Sequence, residues 1–269
     1  MEYIVYDGEV ISGSDWHISL TDRAFRYGDG FFERVALQAG RLCFWEEHWQ
    51  RIQKAAELFA LSISPGESAC KQQLLKLAEK SGISNGKFRM QFWRKGGGLY
   101  TPETMDVHSL FTLEPAEENL FAVKTIRRAD IYPLLRKPVS PLFSVKGLHA
   151  MPYILASLWR KENNLEEAIL LNELGRICEG SRASIFIVKK GEGFTPPLSE
   201  GPVDGVVRSV LLKGGLAKEK PIEVGDLFEG EEIFLTNVSG IYALSEWQTK
   251  PLGTKKAEQC SAFLTDILR

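Results

Sequence analysis

Alternating apolar and polar residues at the start of the chain predict a β-hairpin. Residues 3–11 alternate around Asp7-Gly8, a pair typical of a tight turn between two strands. Apolar residues recur at helical spacing over 45–60, which predicts an amphipathic helix. The other elements predicted in this half are a strand after the glycines at 28–30 that turns near Ala39-Gly40, a helix over about 66–81 that ends near Gly82, and strands in KFRMQFWR and HSLFTLEPA.

The segment 114–120, EPAEENL, interrupts this pattern because it is acidic, contains a proline and lacks periodicity. It predicts a boundary between two domains, 1–116 and 121–269, joined by the linker 117–120. The elements predicted beyond it are strands in AVKTIRR, EAILLNELGRICEG, SIFIVKKGEGFTPP and EEIFLTNVSGIYALSEW, and helices in MPYILASLWRKENN, GVVRSVLLKGGLAKE and KKAEQCSAFLTDILR. This mixture is typical of an α+β fold with two lobes.

The composition is that of an ordinary globular protein, with 44% hydrophobic and 25% charged residues among 269. The formal net charge of −2 gives no indication of a nucleic-acid or membrane partner. Cys43, Cys70, Cys178 and Cys260 lack the spacing of a metal site or a redox pair, so we expect reduced thiols in a cytoplasmic protein. The beginning of the chain, MEYIVYDGEV, is acidic and strand-like rather than typical of a signal peptide.

Two residues carry the candidate chemistry, and each has an ordinary alternative. Lys146, in PLFSVKGLHAMPY, lies between an apolar stretch and a predicted helix, where partial desolvation makes a lysine nucleophilic. A surface lysine in that segment would need no such role. Glu179, in GRICEGSRASIF, ends a predicted strand. Its position is compatible with a carboxylate that faces a pyridine nitrogen and with a turn glutamate that faces solvent.

Anion binding is indicated by two turns and one arginine. GPVDGVVRS and LTNVSG are strand-end turns of small residues whose backbone N–H groups can hold an anion, and a helix beginning near Val206 adds its dipole. Arg51 can clamp a phosphate, although an ion pair with Glu47 on the helix surface is the ordinary alternative. The four histidines are scattered without metal-ligand spacing, so no metal is expected.

Six blocks in this order resemble the class IV aminotransferase family, the fold-type IV enzymes that depend on pyridoxal phosphate. The blocks are SLTDRAFRYGDGFFERVALQAGR, HWQRIQKAAELF, VKGLHAMPYILA, EAILLNELGRICEGSRASIF, FTPPLSEGPVDGVVRSVLL and EEIFLTNVSG, and they cover almost the whole chain. The resemblance implies a small N-terminal α/β lobe and a larger C-terminal lobe with a mainly antiparallel, barrel-like sheet.

The resemblance also implies the cofactor, pyridoxal 5′-phosphate, and the residues that hold it. Lys146 is similar to the lysine that attaches the cofactor and moves the proton, and Glu179 to the carboxylate at the ring nitrogen. Arg51 is similar to the phosphate arginine. The residues that match the two phosphate turns are Val206 and Val207 in the first, and Asn237, Val238 and Ser239 in the second.

The chain departs from the family pattern at several places near these residues. Ala150 stands where a tyrosine often contacts the cofactor, and Tyr153 could replace it only if the helix register allows. Val207 replaces a threonine of the phosphate turn, and Ala183-Ser184 replaces a Ser-Asn pair. These departures leave cofactor binding in place and put the reaction in question.

Three functions therefore stay open. The first is a lyase similar to aminodeoxychorismate lyase, which releases pyruvate and 4-aminobenzoate for folate synthesis; the short chain and the Thr236-Asn237 pair favour it. The second is an aminotransferase for a branched-chain or D-amino acid. Glu33 also occurs in aminotransferase members of the family, so it does not decide between the two reactions. The third is a non-catalytic dimer that keeps only the fold. The family implies a homodimer that acts on a small amino substrate.

Overall fold

The computed structural model describes residues 2–117 and 119–268, so Glu118 of the predicted linker 117–120 lies outside the described residues. The chain forms two compact units. The first contains Met1–Leu120 together with Val145–His149, and the second contains Phe121–Ser144 together with Ala150–Arg269. The chain therefore changes unit at Leu120, and it returns to the first unit for five residues that include Lys146.

The first unit is a six-stranded antiparallel sheet with its two longer helices against one face. Its elements are β1 Tyr3–Tyr6, β2 Glu9–Ser12, α1 Arg23–Tyr27, β3 Gly30–Gln38, β4 Arg41–Leu42, α2 Trp45–Leu58, α3 Glu67–Ser81, β5 Gly86–Arg94 and β6 Val107–Pro115. The strand order is β2-β1-β6-β5-β3-β4. Val35, Phe88 and Phe111 from the sheet and Ile52 and Leu74 from the helices form its core, because alternate strand residues point to the same face.

The local signals of this unit are confirmed. Asp7 and Gly8, with φ of 46° and 94°, form the turn between β1 and β2. Ala39 and Gly40 turn the chain between β3 and β4 in the same way. Gly82 ends α3 in the left-handed conformation that glycine adopts without steric cost.

The second unit contains a second six-stranded sheet. Its elements are β7 Val123–Ile126, β8 Ala129–Ile131, α4 Met151–Glu162, β9 Glu167–Leu171, β10 Ile177–Gly180, β11 Ser184–Lys189, β12 Glu192–Thr195, α5 Val206–Lys213, β13 Lys218–Glu219, α6 Asp226–Glu229, β14 Glu232–Asn237, β15 Gly240–Leu244, β16 Glu246–Trp247, β17 Lys250–Pro251 and α7 Lys255–Asp266. The order β13-β12-β11-β14-β15-β7 is antiparallel at its centre and parallel at both edges.

The predicted α+β class and the mainly antiparallel sheet are confirmed, but the barrel-like form is not. The large sheet begins at β13 and ends at β7, so in the described part of the chain it is open. A separate three-stranded sheet, β10-β9-β8, carries Glu179. The sequence could not show whether the large sheet closes into a barrel, because closure depends on pairing between distant strands and not on the alternation within each strand.

The four cysteines are unpaired and buried. Burial raises the pKa of Cys43 to about 11 and those of Cys70 and Cys260 to about 12. These thiols are therefore protonated at neutral pH and are not suited to nucleophilic chemistry. Within residues 2–117 and 119–268, no helix is long and apolar enough to cross a membrane.

Candidate active site

Lys146 is held in the first unit by main-chain hydrogen bonds to the start of β3. The Phe32 N–H donates to the Lys146 carbonyl at 2.8 Å, and the Leu148 N–H donates to the Gly30 carbonyl at 3.0 Å. The Val145 side chain is buried in the core, which directs Lys146 to the other side. Gly30 is required here, since a Cβ atom would collide with the Phe92 carbonyl oxygen.

The Lys146 side chain is half-buried and lies over an aromatic ring. Its Nζ is 5.6 Å from the centroid of the Phe32 ring. Because the backbone on both sides of Lys146 is fixed, the amine is presented at a defined place rather than on a mobile loop. Such a placement is what a reacting lysine needs.

The predicted phosphate arginine, Arg51, belongs to a buried cluster on the same unit. Its Nε donates to Glu33 Oε2 at 2.8 Å, and its Nη2 donates to Glu33 Oε1. His48, one turn earlier on α2, lies with Nδ1 2.9 Å from Glu33 Oε1. Arg51 is therefore paired with Glu33 on β3, a partner that the sequence did not indicate. This buried pair fixes the guanidinium in position.

The charges of this cluster determine its protonation. Burial alone would raise the pKa of Glu33, but the charge of Arg51 and the hydrogen bonds from Arg51 and His48 outweigh it and hold that pKa well below its usual range. Burial lowers the pKa of His48 against the opposing effect of Glu33, and the charges of Arg51 and Lys146 lower it further. We conclude that His48 is neutral at pH 7 and donates its Nδ1 proton to an ionised Glu33.

Glu179 lies in the second unit and is surrounded by donors. Lys137, which has no exposed surface, donates from Nζ to Glu179 Oε1 and, at 3.2 Å, to the Phe143 carbonyl. The Tyr153 hydroxyl donates to the same Oε1 at 2.8 Å. The Val203 N–H donates to Oε2 at 3.0 Å. The carboxylate is thus paired with a cation and fixed in orientation by three donors.

This arrangement fits a ring nitrogen next to Glu179. Oε1 already accepts two hydrogen bonds, whereas Oε2 accepts one in the described structure and has a second lone pair for another N–H. Burial and the Glu179 charge raise the pKa of Tyr153 well above its usual value. Tyr153 therefore acts as a donor to Glu179, which is a different role from the cofactor contact that the sequence left open for it.

The two predicted phosphate turns lie against the segment that follows Glu179. Val206 and Val207 begin α5, whose N-cap, Gly205, supplies no side-chain cap to the first N–H groups. A Cβ atom at Gly205 would collide with Ser184 Oγ, so this turn packs directly on the start of β11. Uncapped N–H groups at a helix N-terminus suit a phosphate.

The second turn, Asn237 to Gly240, joins β14 to β15 beside Ser184, which pairs with Thr236. Asn237 Oδ1 accepts the Ser239 N–H at 2.7 Å, and Asn237 Nδ2 donates to the Arg182 carbonyl at 3.1 Å. The Ser239 N–H is thus used within the turn. This weakens the expectation that all three N–H groups of residues 237–239 face an anion.

The structure therefore groups the predicted residues into two sets. Lys146 and Arg51 lie in the first unit, and the charge of each lowers the pKa of His48. Glu179 lies in the second unit with both turns. No sequence signal indicated a role for Lys137. His48 could have been noticed, since a second polar residue beside Arg51 on the buried face of an amphipathic helix requires a buried partner.

Comparison with known proteins identifies relatives along most of the chain. The family model "Amino-transferase class IV" matches residues 30–247. A putative branched-chain-amino-acid aminotransferase of Methanocaldococcus jannaschii is 28% identical over 245 residues, 88% of this chain and 84% of that protein. A D-alanine aminotransferase of Bacillus licheniformis is 24% identical over 249 residues, 88% of this chain and 84% of that protein.

Solved structures show the same fold. The branched-chain aminotransferase of Thermoproteus uzoniensis, solved with norvaline, aligns with a TM-score of 0.87 at 21% identity and covers 98% of this chain and 95% of its own. The branched-chain amino acid aminotransferase of Escherichia coli aligns with a TM-score of 0.84 at 18% identity, and the alignment covers 99% of this chain and 92% of that protein. These relatives are named aminotransferases, so the comparisons favour the second hypothesis over the lyase that the sequence put first.

His48 is expected to make stability depend on pH. Its pKa is lowered on folding, so the unfolded chain takes up a proton below its ordinary pKa of about 6.5 while the folded chain does not. The free energy of unfolding then falls as the pH drops below that value, by at most about 1.4 kcal/mol per pH unit. Urea unfolding of wild type and His48→Gln from pH 7.5 to 5 measures this contribution.

In that experiment His48→Gln should flatten the pH profile, because the amide cannot titrate. His17→Gln, at an exposed position, is the matched control and should leave the profile as in wild type. Parallel profiles for wild type and His48→Gln would contradict the assignment.

Lys137→Met is expected to lower the free energy of unfolding by roughly 3–5 kcal/mol, because it leaves Glu179 buried without a cation. The double variant Lys137→Met/Glu179→Gln should recover part of the loss, since it removes both charges. Lys161→Met, on the exposed side of α4, is the control. Thermal and urea unfolding measure all four proteins; equal stability of the single and double variants would show that the pair is not coupled.

Proposed function

We infer the reaction of this chain from its family, because the chain belongs to the class IV aminotransferases. We propose that it transfers the amino group of a branched-chain or D-amino acid to a 2-oxo acid. The single observation that supports this best is the buried Glu179, which is paired with Lys137 and fixed by Tyr153 and Val203. A carboxylate held in this way suits the ring nitrogen of pyridoxal phosphate. The names of the relatives support the choice of substrate classes.

Bound pyridoxal phosphate supplies an aldehyde that captures amines and a ring that accepts electrons from the reacting carbon. We assign its attachment to Lys146, its ring nitrogen to Glu179 and its phosphate to Arg51. The backbone donors assigned to the phosphate are those of Val206, Val207, Asn237, Val238 and Ser239, with Ser239 the weakest because its N–H is used by Asn237.

Lys146 is assigned the proton transfer, and Glu179 and Arg51 are assigned to charged groups of the cofactor. With the cofactor bound, the Lys146 amine would be the group that takes a proton from the substrate carbon and returns it. Glu179 keeps the ring nitrogen protonated, which lowers the energy of the negative charge that develops during this transfer. Arg51 keeps the phosphate in place throughout, since Glu33 fixes its guanidinium.

A homodimer is part of the same proposal. Met151, Ile154, Leu155 and Leu158 recur along α4 at helical spacing, and all four are exposed. These residues form a continuous exposed apolar patch rather than isolated apolar positions. A second copy of this chain is the partner that the family resemblance implies. We propose a cytoplasmic setting as well, which the four buried, unpaired thiols suit.

The assay that tests the function offers L-leucine, L-valine or D-alanine together with 2-oxoglutarate and measures the amino acid formed. Wild type should transfer the amino group from at least one of the three donors. Lys146→Ala should lose orders of magnitude in rate, whereas Lys161→Ala should not. Release of pyruvate from aminodeoxychorismate without any 2-oxo acid would instead support the lyase, and no reaction in either assay would support the non-catalytic dimer.

Glu179→Gln should retain the cofactor and lose most of its turnover, because an amide cannot hold the ring nitrogen protonated. Cofactor content is measured by visible absorption and turnover by the same assay. Glu162→Gln, exposed on α4, is the matched control. Turnover of Glu179→Gln at the wild-type rate would contradict the role assigned to Glu179.

A further inference from the structure

Two arginines of the second unit donate to the same main-chain oxygen. Arg160, in the last turn of α4, donates from Nη1 to the Glu166 carbonyl at 2.9 Å. Arg182 donates from Nη2 to that oxygen, also at 2.9 Å. The two guanidinium groups are therefore neighbours. A neutral oxygen shared by two cations offsets little of their mutual repulsion, so the pair requires negative charge from elsewhere.

The carboxylates of this region supply that charge only in part. Glu167 Oε2 lies 3.3 Å from Arg182 Nε, and the Arg182 side chain is 48% exposed, which makes the contact weak. The other oxygen of Glu167 already accepts three hydrogen bonds from nearby residues. The Glu166 carboxylate accepts the main-chain N–H groups of Arg127 and Arg128. One long ion pair is thus the negative charge available to two guanidinium groups.

Arg160 has no counterion within the described residues. Its guanidinium makes one hydrogen bond there, to the Glu166 carbonyl, and its Nε is buried without a partner. The dipole at the end of α4 favours one cation at this position, but it does not account for a second guanidinium beside the first. The Arg160 side chain is half-buried, so water covers only part of it. A half-buried cation with unused donors and no carboxylate is suited to binding an anion.

Arg182 is restrained from two sides. Its Cζ lies 5.9 Å from the centroid of the Tyr242 ring, and its carbonyl accepts from Asn237 Nδ2 at 3.1 Å. A guanidinium that is already restrained loses less side-chain freedom when it binds a ligand. Asn237 belongs to a turn assigned to the cofactor phosphate, but it contacts the Arg182 main chain and not the guanidinium. The arginine pair is therefore distinct from the groups assigned to the cofactor.

We propose that Arg160 and Arg182 form a binding site for a small oxyanion, a carboxylate or a phosphate group, that takes no part in holding the cofactor. Guanidinium groups present planar pairs of N–H donors that match the oxygens of both kinds of anion. One anionic group beside the pair offsets the charge that Glu167 leaves uncovered, and it accepts from donors that Arg160 does not use. The ligand is therefore a small acid or a small phosphorylated compound.

Isothermal titration calorimetry of the cofactor-loaded protein with inorganic phosphate and with acetate tests this site, at an ionic strength held constant with potassium chloride. The loaded protein is used because the cofactor then occupies the phosphate groups assigned around Arg51. Arg160→Gln removes the uncompensated charge. Lys161→Gln, which removes an exposed charge from the next position of α4, is the matched control. Arg160→Lys and Arg182→Lys are included in case Arg160→Gln does not fold.

Wild type and Lys161→Gln should bind one equivalent of phosphate, acetate or both with equal affinity. Arg160→Gln should bind at least about tenfold more weakly, as expected for a lost charge-assisted hydrogen bond. The two lysine variants should lie between these limits, because they keep the charge and lose the planar fork. Binding of phosphate alone identifies a phosphate ligand, and binding of acetate identifies a carboxylate.

Wild type that binds neither anion saturably would overturn the site. Equal weakening by Arg160→Gln and Lys161→Gln would also overturn it, because the anions would then respond to surface charge in general. Cofactor content, measured by visible absorption, should be the same in every variant. A folded Arg160→Gln that fails to retain the cofactor would contradict the separation of this site from the cofactor.

Discussion

A buried carboxylate must be paired with a cation or accept several hydrogen bonds, and this constraint organises both units of the protein. An isolated buried charge costs several kcal/mol, so each buried carboxylate has dedicated partners. In the first unit Glu33 accepts from Arg51 and His48. In the second unit Glu179 accepts from Lys137, Tyr153 and the Val203 main chain. The residues that satisfy these charges are also those that fix the candidate active-site groups in place.

The same constraint gives the two lysines near the candidate chemistry different tasks. The Lys137 amine has no exposed surface and is engaged by Glu179, which suits it to positioning and not to attack on an aldehyde. The Lys146 backbone is fixed by β3, and its amine is half-buried over Phe32. We infer that Lys137 pairs with Glu179 and holds it in place while Lys146 performs the chemistry.

The sequence predicted the structural features that depend only on residues close together in the chain. The Asp7-Gly8 and Ala39-Gly40 turns, the amphipathic α2 and the glycine at the end of α3 are local signals, and all are present. Contacts between distant residues were not predictable. Lys137 and Glu179 are 42 positions apart, and nothing around Lys137 distinguishes it from a surface lysine. Arg160 and Arg182 become neighbours only in the folded chain, and the open edge of the large sheet depends on pairing between distant strands.

The division of roles between the two lysines is tested most directly by chemical trapping. Borohydride reduction of the cofactor-loaded protein makes the lysine–cofactor linkage permanent, and proteolysis with mass spectrometry then locates the pyridoxyl group. We expect the label on the peptide that contains Val145-Lys146-Gly147. A label on Lys137 would contradict it, since that lysine could not then neutralise Glu179, and every site assignment made from Lys146 would have to be withdrawn.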